Sequence, residues 1–421
     1  MKHSALHTIL TGSTDTTVSG LRGSAPQWLA AEIAENSPLL CILPDEHLVA
    51  CFAQDLSLFT NKKVAIYPGQ EIPPYTPLSA DQRITAERLA SLSLMREGHA
   101  QIMVSSIEAI LRRTMPKDVL TANSEYIVAG EECDRDDLLN GLTKIGYEQV
   151  ALVQSVGDYA VRGSVIDIFP PSFRTTEGNQ HEGPIRLDFF GDMVESVRSF
   201  NPINQRSSEE LEEVILLPVA DILLHSIPDS QCRELVRTIH EMGEKYNWNP
   251  EEVSRIAERL TTRRSFAGIE FFLPLFSPKN VEPTSTVFDF LPTGTNLLLV
   301  DSAGIRQAMA LTLERIDQNL ISAKETGFPA LPPEMLFLDE TEFDERLATF
   351  RTVLLNDLVG PDQEVVKISS NSHQLLQQEI SLRRTRQGLL APLAEQLQAW
   401  LQQNEQPIIC CRSPRHTKNL A

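Results

Sequence analysis

"VSGLRGSAPQWLAAEIAEN", residues 18–36, decides how this chain is read. Two glycines and a small residue lead into an apolar helical run, the layout of a phosphate loop opening a helix. The stretch has no lysine. A phosphate loop follows G-x-x-x-x-G-K-[ST]: backbone N–H groups cradle phosphates, the lysine reaches the β- and γ-phosphates, and the hydroxyl binds magnesium. With Gly20 as the first glycine, Ala25, Pro26 and Gln27 stand where Gly, Lys and Ser/Thr are required. Pro26 removes both the cation and a backbone donor. No Gly-Lys dipeptide occurs anywhere in the chain. On its own the segment reads as a turn built on Gly20 and Gly23, entering a helix with Ser24 as cap and Pro26 in the first turn.

Outward from this stretch, apolar strands alternate with helices. "PLLCIL" (38–43), "KKVAIY" (62–67) and "AQIMVSS" (100–106) read as strands. "DEHLVACFAQDLSLF" reads as an amphipathic helix, and residues 81–97 place Ile84, Leu89, Leu92 and Met95 on one helical face. Apolar strands separated by helices imply a parallel sheet covered on both sides. "TNLLLVD" (295–301) belongs to that sheet by its character. It ends in Asp301-Ser302, where a motor would carry Asp-Glu to hold magnesium and activate water. Two nucleotide motifs that each lack their chemical residue predict a motor fold without a motor.

Between these parts the pattern changes. "GDYAVRGSVIDIFP" (157–170), "PIRLDFF" (184–190) and "MVESVRSF" (193–200) alternate with a period of two, and Gly191-Asp192 reads as a hairpin turn. This predicts an inserted antiparallel α+β domain over 122–213. The expected organisation is an α/β parallel-sheet domain over 1–121 and 214–345, the insertion, and a small third α/β region over 346–421. Helices are expected at 228–247 and 249–264, the second opening with "NPEE". The chain stops at "RSPRHTKNLA", directly after the apolar "PIICC", as a piece of a longer protein would.

Composition narrows the function classes. The chain has 421 residues, is 42% hydrophobic and 22% charged, and carries a formal net charge of −20. Such a surface repels phosphate backbones and argues against tight nucleic-acid binding. "MKHSALHTIL" is too polar for a secretory signal, and no run approaches a membrane span. Six cysteines (Cys41, Cys51, Cys133, Cys232, Cys410 and Cys411) include no C-x-x-C pair, which fits reduced thiols in the cytoplasm. There is no G-x-S-x-G, and His240-Glu241 lacks a second histidine at metal spacing. The acidic runs 131–137 and 208–213 read as solvated faces and helix starts. No catalytic residue and no metal site is expected.

"GDYAVRGSVIDIFPPS" and "IRLDFFGDMVESVRSFN" resemble the UvrA-binding module of the family that unites UvrB with the transcription-repair coupling factors (Mfd). "YPGQEIPPYTP", "AQIMVSSIEAILRRTMP", "GIEFFLPLF" (268–276) and "VFDFLPTGTNLLLVDS" extend the resemblance over roughly residues 10–340, in order. UvrB has an intact phosphate loop, an Asp-Glu pair and a long damage-probing hairpin after the aromatic-proline segment. Here only "LSADQ" separates "PPYTP" from the next helix. The departures resemble the N-terminal, UvrB-like region of the coupling factors. Gly20, Gly23, Ala25, Pro26, Gln27, Asp301 and Ser302 then form a degenerate nucleotide site on a helicase-like domain.

The resemblance implies a region that recruits UvrA to stalled RNA polymerase and performs no ATP chemistry. ATP, magnesium, RNA polymerase and DNA would belong to downstream domains of a DNA translocase. The opposed alternatives are an active UvrB-type, ATP-dependent damage-recognition subunit and a damage-binding module. A monomer in the cytoplasm, away from membranes, is expected.

In "PIRLDFF", Ile185, Leu187 and Phe189 share the core face, and Arg186, Asp188 and Phe190 the other. In "GDYAVRGSVIDIF", Tyr159, Val161 and Val165 are assigned to one side and Arg162 to the other. An outward Phe beside outward Arg suits an interface centre. The resemblance assigns Arg162, Arg186 and Phe190 to UvrA contact.

Overall fold

The computed structural model describes all residues except 1, 13, 71, 172, 175–179, 182, 278–281, 357–364, 384–390, 406, 408, 410–417 and 419–421. The expected apolar strand at 407–411 therefore lies largely outside the described residues, with Cys410 and Cys411. The other four cysteines are free thiols.

A seven-stranded sheet organises the α/β part. Its spatial order is Val365–Lys367, Thr16–Ser19, Arg351–Leu355, Asn296–Val300, Leu39–Leu43, Ile102–Ser106 and Val64–Tyr67. All its pairings are parallel. Leu39–Leu43 shows why continuous apolar runs suit such a sheet. Leu39, Cys41 and Leu43 enter one core, while Leu40 and Ile42 enter the core on the opposite face. Both sides of the strand are buried, so no position is left for a polar alternation.

Helices cover both faces. Glu46–Leu56 starts where the Asp45 carboxylate accepts the His47 N–H. Gln82–Arg96 starts where Asp81 accepts the Arg83 N–H. Ser24 occupies the cap position of helix Ala25–Ala34, but its side chain makes no capping bond.

The expected boundary at 346 is corrected by the sheet. Arg351–Leu355 is an interior strand between Thr16–Ser19 and Asn296–Val300, and Val365–Lys367 is an edge strand. These pairings join residues more than 300 positions apart in sequence, which no local pattern reveals. Beyond them, helices Gln374–Arg383 and Ala391–Gln402 pack together, with His373 edge-on to Trp400 at 5.3 Å.

The inserted part holds two sheets. One runs Ser207–Leu211, Met193–Phe200, Ile185–Phe190, Val165–Ile168, Asp158–Arg162 and Glu148–Gln149. All its neighbours are antiparallel except the last pair. Gly191 supplies the positive φ, +62°, that the two-residue turn before Met193 demands. The other sheet pairs Glu125–Val128 with Glu213–Leu216, so the two ends of the insertion close on each other. Tyr159, Ile166, Ile185, Leu187, Phe189, Val194 and Val197 bury one face of the large antiparallel sheet against helix Arg135–Lys144. Gln82 at the start of its helix donates to the Gly146 carbonyl at 3.1 Å, tying insertion to body.

Candidate functional site

The loop at residues 20–27 is occupied by the chain itself. Gly20 and Gly23 take positive φ, +87° and +61°. After the edge strand Val365–Lys367, the chain turns over this loop. The Arg22 N–H donates to Ser370 Oγ, and the Gly20 carbonyl accepts from the Ser370 N–H and hydroxyl, both at 3.1 Å. A Cβ on Gly20 would stand 2.7 Å from the Ile368 carbonyl oxygen. Glycine is required here for close backbone approach within the chain. Ala25, Pro26 and Gln27 lie half-buried in the first turn of the helix, and Gln27 Oε1 is buried without a partner.

Asp301 and Ser302 are likewise engaged. Asp301 has φ +63° and caps helix Ser302–Thr326 by accepting the Gly304 N–H at 3.0 Å. Ser302 donates from its hydroxyl to Asn356 Oδ1 at 2.6 Å. The strands leading to the loop and to Asp301 are separated by Arg351–Leu355. Ser370 and Asn356, which hold both motifs in place, went unnoticed in the sequence. Both lie in the region expected to be separate.

The outer face of the antiparallel sheet gathers the other candidate residues. Asp167 stands directly opposite Arg186 across two antiparallel strands. The Asp167 side chain is 1% exposed, and the Arg186 side chain 17%. Arg186 grips it with two bonds, Nε to Oδ1 at 2.7 Å and Nη2 to Oδ2 at 3.0 Å. Arg162 donates to the same Oδ2 from the neighbouring strand. Arg186 also donates to the Gln205 carbonyl at 3.2 Å and lies 4.7 Å over the Phe200 ring. Its hydrogen bonds to Asp167 push its pKa further up. Asp188, Ser196 and Arg198 form a second linked group on this face.

Val165 pairs with Arg162 and so lies on the arginine face. The expectation that it sides with Tyr159 and Val161 is corrected. The tight Gly163-Ser164 turn restarts the alternation, so a count run straight through it gives the wrong face. Asp167 was missed as a site residue. Its signal was present: an acid inside "SVIDIF", on a strand otherwise apolar.

Phe190 ends its strand at the turn and is 74% exposed. Opposite it stands Met193, 44% exposed. A register shift between Asp188 and Phe189 changes the pairing with the next strand just before this tip. Arg162, Arg186 and Phe190 thus share one sheet face. The two arginines meet at Asp167, while Phe190 stands apart in solvent.

Among the described residues, no group of three or more His, Cys, Asp or Glu is arranged to hold a metal ion. No described helix is long and apolar enough to cross a membrane.

Comparison with known proteins agrees with this layout. Residues 126–221 match the family described as the UvrB interaction domain. The chain is 29% identical to a transcription-repair-coupling factor of Myxococcus xanthus over 408 residues, 93% of this chain and 33% of that protein. It is 30% identical to that of Escherichia coli over 342 residues, 80% of this chain and 28% of that protein. The Bacillus subtilis counterpart is 26% identical over 302 residues, 69% of this chain and 24% of its own length. The chain therefore spans a third or less of the relatives it matches. The resemblance read from the sequence holds along most of the chain, which corresponds to an N-terminal, UvrB-like region of the transcription-repair coupling factors with a UvrB interaction domain at residues 126–221.

Proposed function

We propose that this region recruits UvrA to RNA polymerase stalled at DNA damage, by presenting a surface that resembles UvrB. The observation that carries this reading is the UvrB interaction domain whose outer face holds both Phe190, 74% exposed at the strand tip, and, further along, the Arg162–Asp167–Arg186 cluster. An exposed aromatic on the same face as arginines already fixed by a buried carboxylate suits an interface, because those arginines have little side-chain entropy left to lose on binding. RNA polymerase, DNA and an ATP-driven motor belong, in this reading, to parts of a longer protein beyond this region. The region acts in the cytoplasm as a monomer.

We further propose that residues 20–27 with Asp301 and Ser302 perform no ATP chemistry. Support comes from Pro26 at the lysine position, from Ser370 engaging Gly20 and Arg22, and from Asp301 acting as a helix cap. The phosphate-loop lysine and the glutamate that would activate water after Asp301 are both lacking there. The same facts count against a UvrB-type damage-recognition ATPase.

Titration of purified UvrA onto the chain tests the recruiting role. A complex that UvrB competes away is expected, and failure to bind UvrA overturns the proposal. In parallel, calorimetry should show no ATP binding. Anisotropy with damaged duplex at ~0.15 M salt should show no lesion-dependent complex. Micromolar ATP binding or submicromolar lesion-dependent binding contradicts the second part.

A further inference from the structure

The turn at residues 201–206 joins strand Met193–Phe200 to strand Ser207–Leu211. Its side chains fold back on its own backbone. The Asn201 N–H donates to the Arg206 carbonyl at 2.9 Å, and the Gln205 N–H returns to the Asn201 carbonyl at 2.8 Å. The Asn201 carboxamide oxygen accepts the Ile203 N–H at 2.9 Å and the Asn204 N–H at 3.2 Å. Asn204 Oδ1 accepts the Arg206 N–H at 3.0 Å, and Gln205 Nε2 donates to the Pro202 carbonyl at 2.8 Å. Asparagine and proline supply the chemistry that a tight turn requires.

The Ile203 side chain serves neither that turn nor the core. At 92% it is the most exposed large hydrophobic side chain among the described residues, and it joins neither buried cluster of the insertion. Single exposed apolar residues are ordinary on a surface. This one differs in being held, and in where it is held. Arg186 donates Nη1 to the Gln205 carbonyl at 3.2 Å, which ties the turn to the arginine face of the sheet. Arg186 is itself fixed by its two bonds to Asp167 and lies over Phe200, the last residue before the turn. The Phe190–Met193 tip and the turn stand at opposite ends of strand Met193–Phe200. From Arg186 to Phe190 is about 14 Å of strand. An interface of standard size, burying about 800 Å² on each partner, is about 30 Å across. One partner can therefore cover both ends.

We propose that Ile203 is a second contact for UvrA, entering an apolar depression on that protein while Phe190 is engaged at the other end of the same face. The inference rests on the recruiting role proposed above. Asn201 is a positioning residue: its side chain holds the Ile203 and Asn204 amides, so Ile203 is presented in one place and little backbone freedom is lost when it is covered. Arg186 tethers the same turn to the sheet through Gln205.

The test uses the whole chain. Purified UvrA is titrated onto the unaltered chain, Ile203→Ser, Asn201→Ala and the double variant, with melting curves and amide exchange recorded on each. Ile203→Ser should melt like the unaltered chain and raise the Kd for UvrA about tenfold. Asn201→Ala should quicken exchange at the Ile203 and Asn204 amides and raise the Kd about threefold. In the Ile203→Ser background, Asn201→Ala should raise it no further, because the turn then has no contact left to position. Equal affinity of the unaltered chain and Ile203→Ser overturns this inference alone. So does an Asn201→Ala effect of the same size with and without Ile203. Failure of the unaltered chain to bind UvrA overturns the recruiting role, and this inference with it.

Discussion

The loop at residues 20–27 and the outer face of strand Ile185–Phe190 both carry residues that the sequence marks as chemical, and folding uses them differently. At the loop, donor and acceptor groups are consumed from within. Ser370 takes the Arg22 N–H and serves the Gly20 carbonyl, and Asp301 caps its own helix. On the strand, the polar groups are also consumed, because Asp167 holds both Arg162 and Arg186. What remains there is a large apolar side chain in water, Phe190. Availability to a partner is set by what is left over after folding. By that measure the Gly20 carbonyl and the Arg22 N–H of the loop are already engaged, whereas the strand keeps an exposed aromatic on the same face as a rigid, charged platform.

Four changes sharpen this contrast. Leu187→Ala removes a fully buried side chain from the core under the platform. It should cost about 2–5 kcal/mol in denaturant unfolding, and reduce partner binding only through lost folding. Arg186→Ala comes next. Its side chain is 17% exposed and it is the bidentate partner of a buried carboxylate, which would keep only Arg162. A loss of about 1–3 kcal/mol is expected, more than a surface arginine gives. If Arg186→Ala melts like the unaltered chain, the platform is not the rigid element described here.

Gly20→Ala tests the closed loop. The positive φ and the 2.7 Å approach to the Ile368 carbonyl should make it destabilising by about 1–2 kcal/mol. An unchanged melting curve would mean that the segment at 368–370 does not sit on the loop.

A smaller effect lies in the pH profile. Burial raises the pKa of Asp221 and of Glu270. An acid raised in the folded state holds its proton more tightly there than when unfolded. Its stabilising contribution is therefore present at low pH and is lost as pH climbs from the ordinary carboxylate range through the raised values. Asp221→Asn with Glu270→Gln should flatten the fall in stability over that interval, read by denaturant unfolding at several pH values. An undiminished fall would assign it to other groups.

The parallel sheet was legible because its strands are continuous apolar runs, and the hairpin because Gly191-Asp192 interrupts a clean alternation. The core face of "PIRLDFF" followed directly from its period. The place of Arg351–Leu355 was not legible, since a strand inserted between distant neighbours leaves no local mark. The side of Val165 was misread because a two-residue turn restarts the period. The partners of Arg162 and Arg186 were hidden for a different reason. Spacing gives the face of a side chain, not the buried acid that it meets across a strand.

Phe190→Ala separates the recruiting role of the exposed strand tip from its part in folding. At 74% exposure its removal should change stability by no more than about 0.5 kcal/mol. Titration of UvrA onto the unaltered chain and onto this variant, with melting curves recorded on both, separates binding from folding. If Phe190 is a contact that UvrA uses, the two melting curves match and the variant binds UvrA more weakly by about 1–4 kcal/mol. Equal affinity for the two proteins would contradict that role.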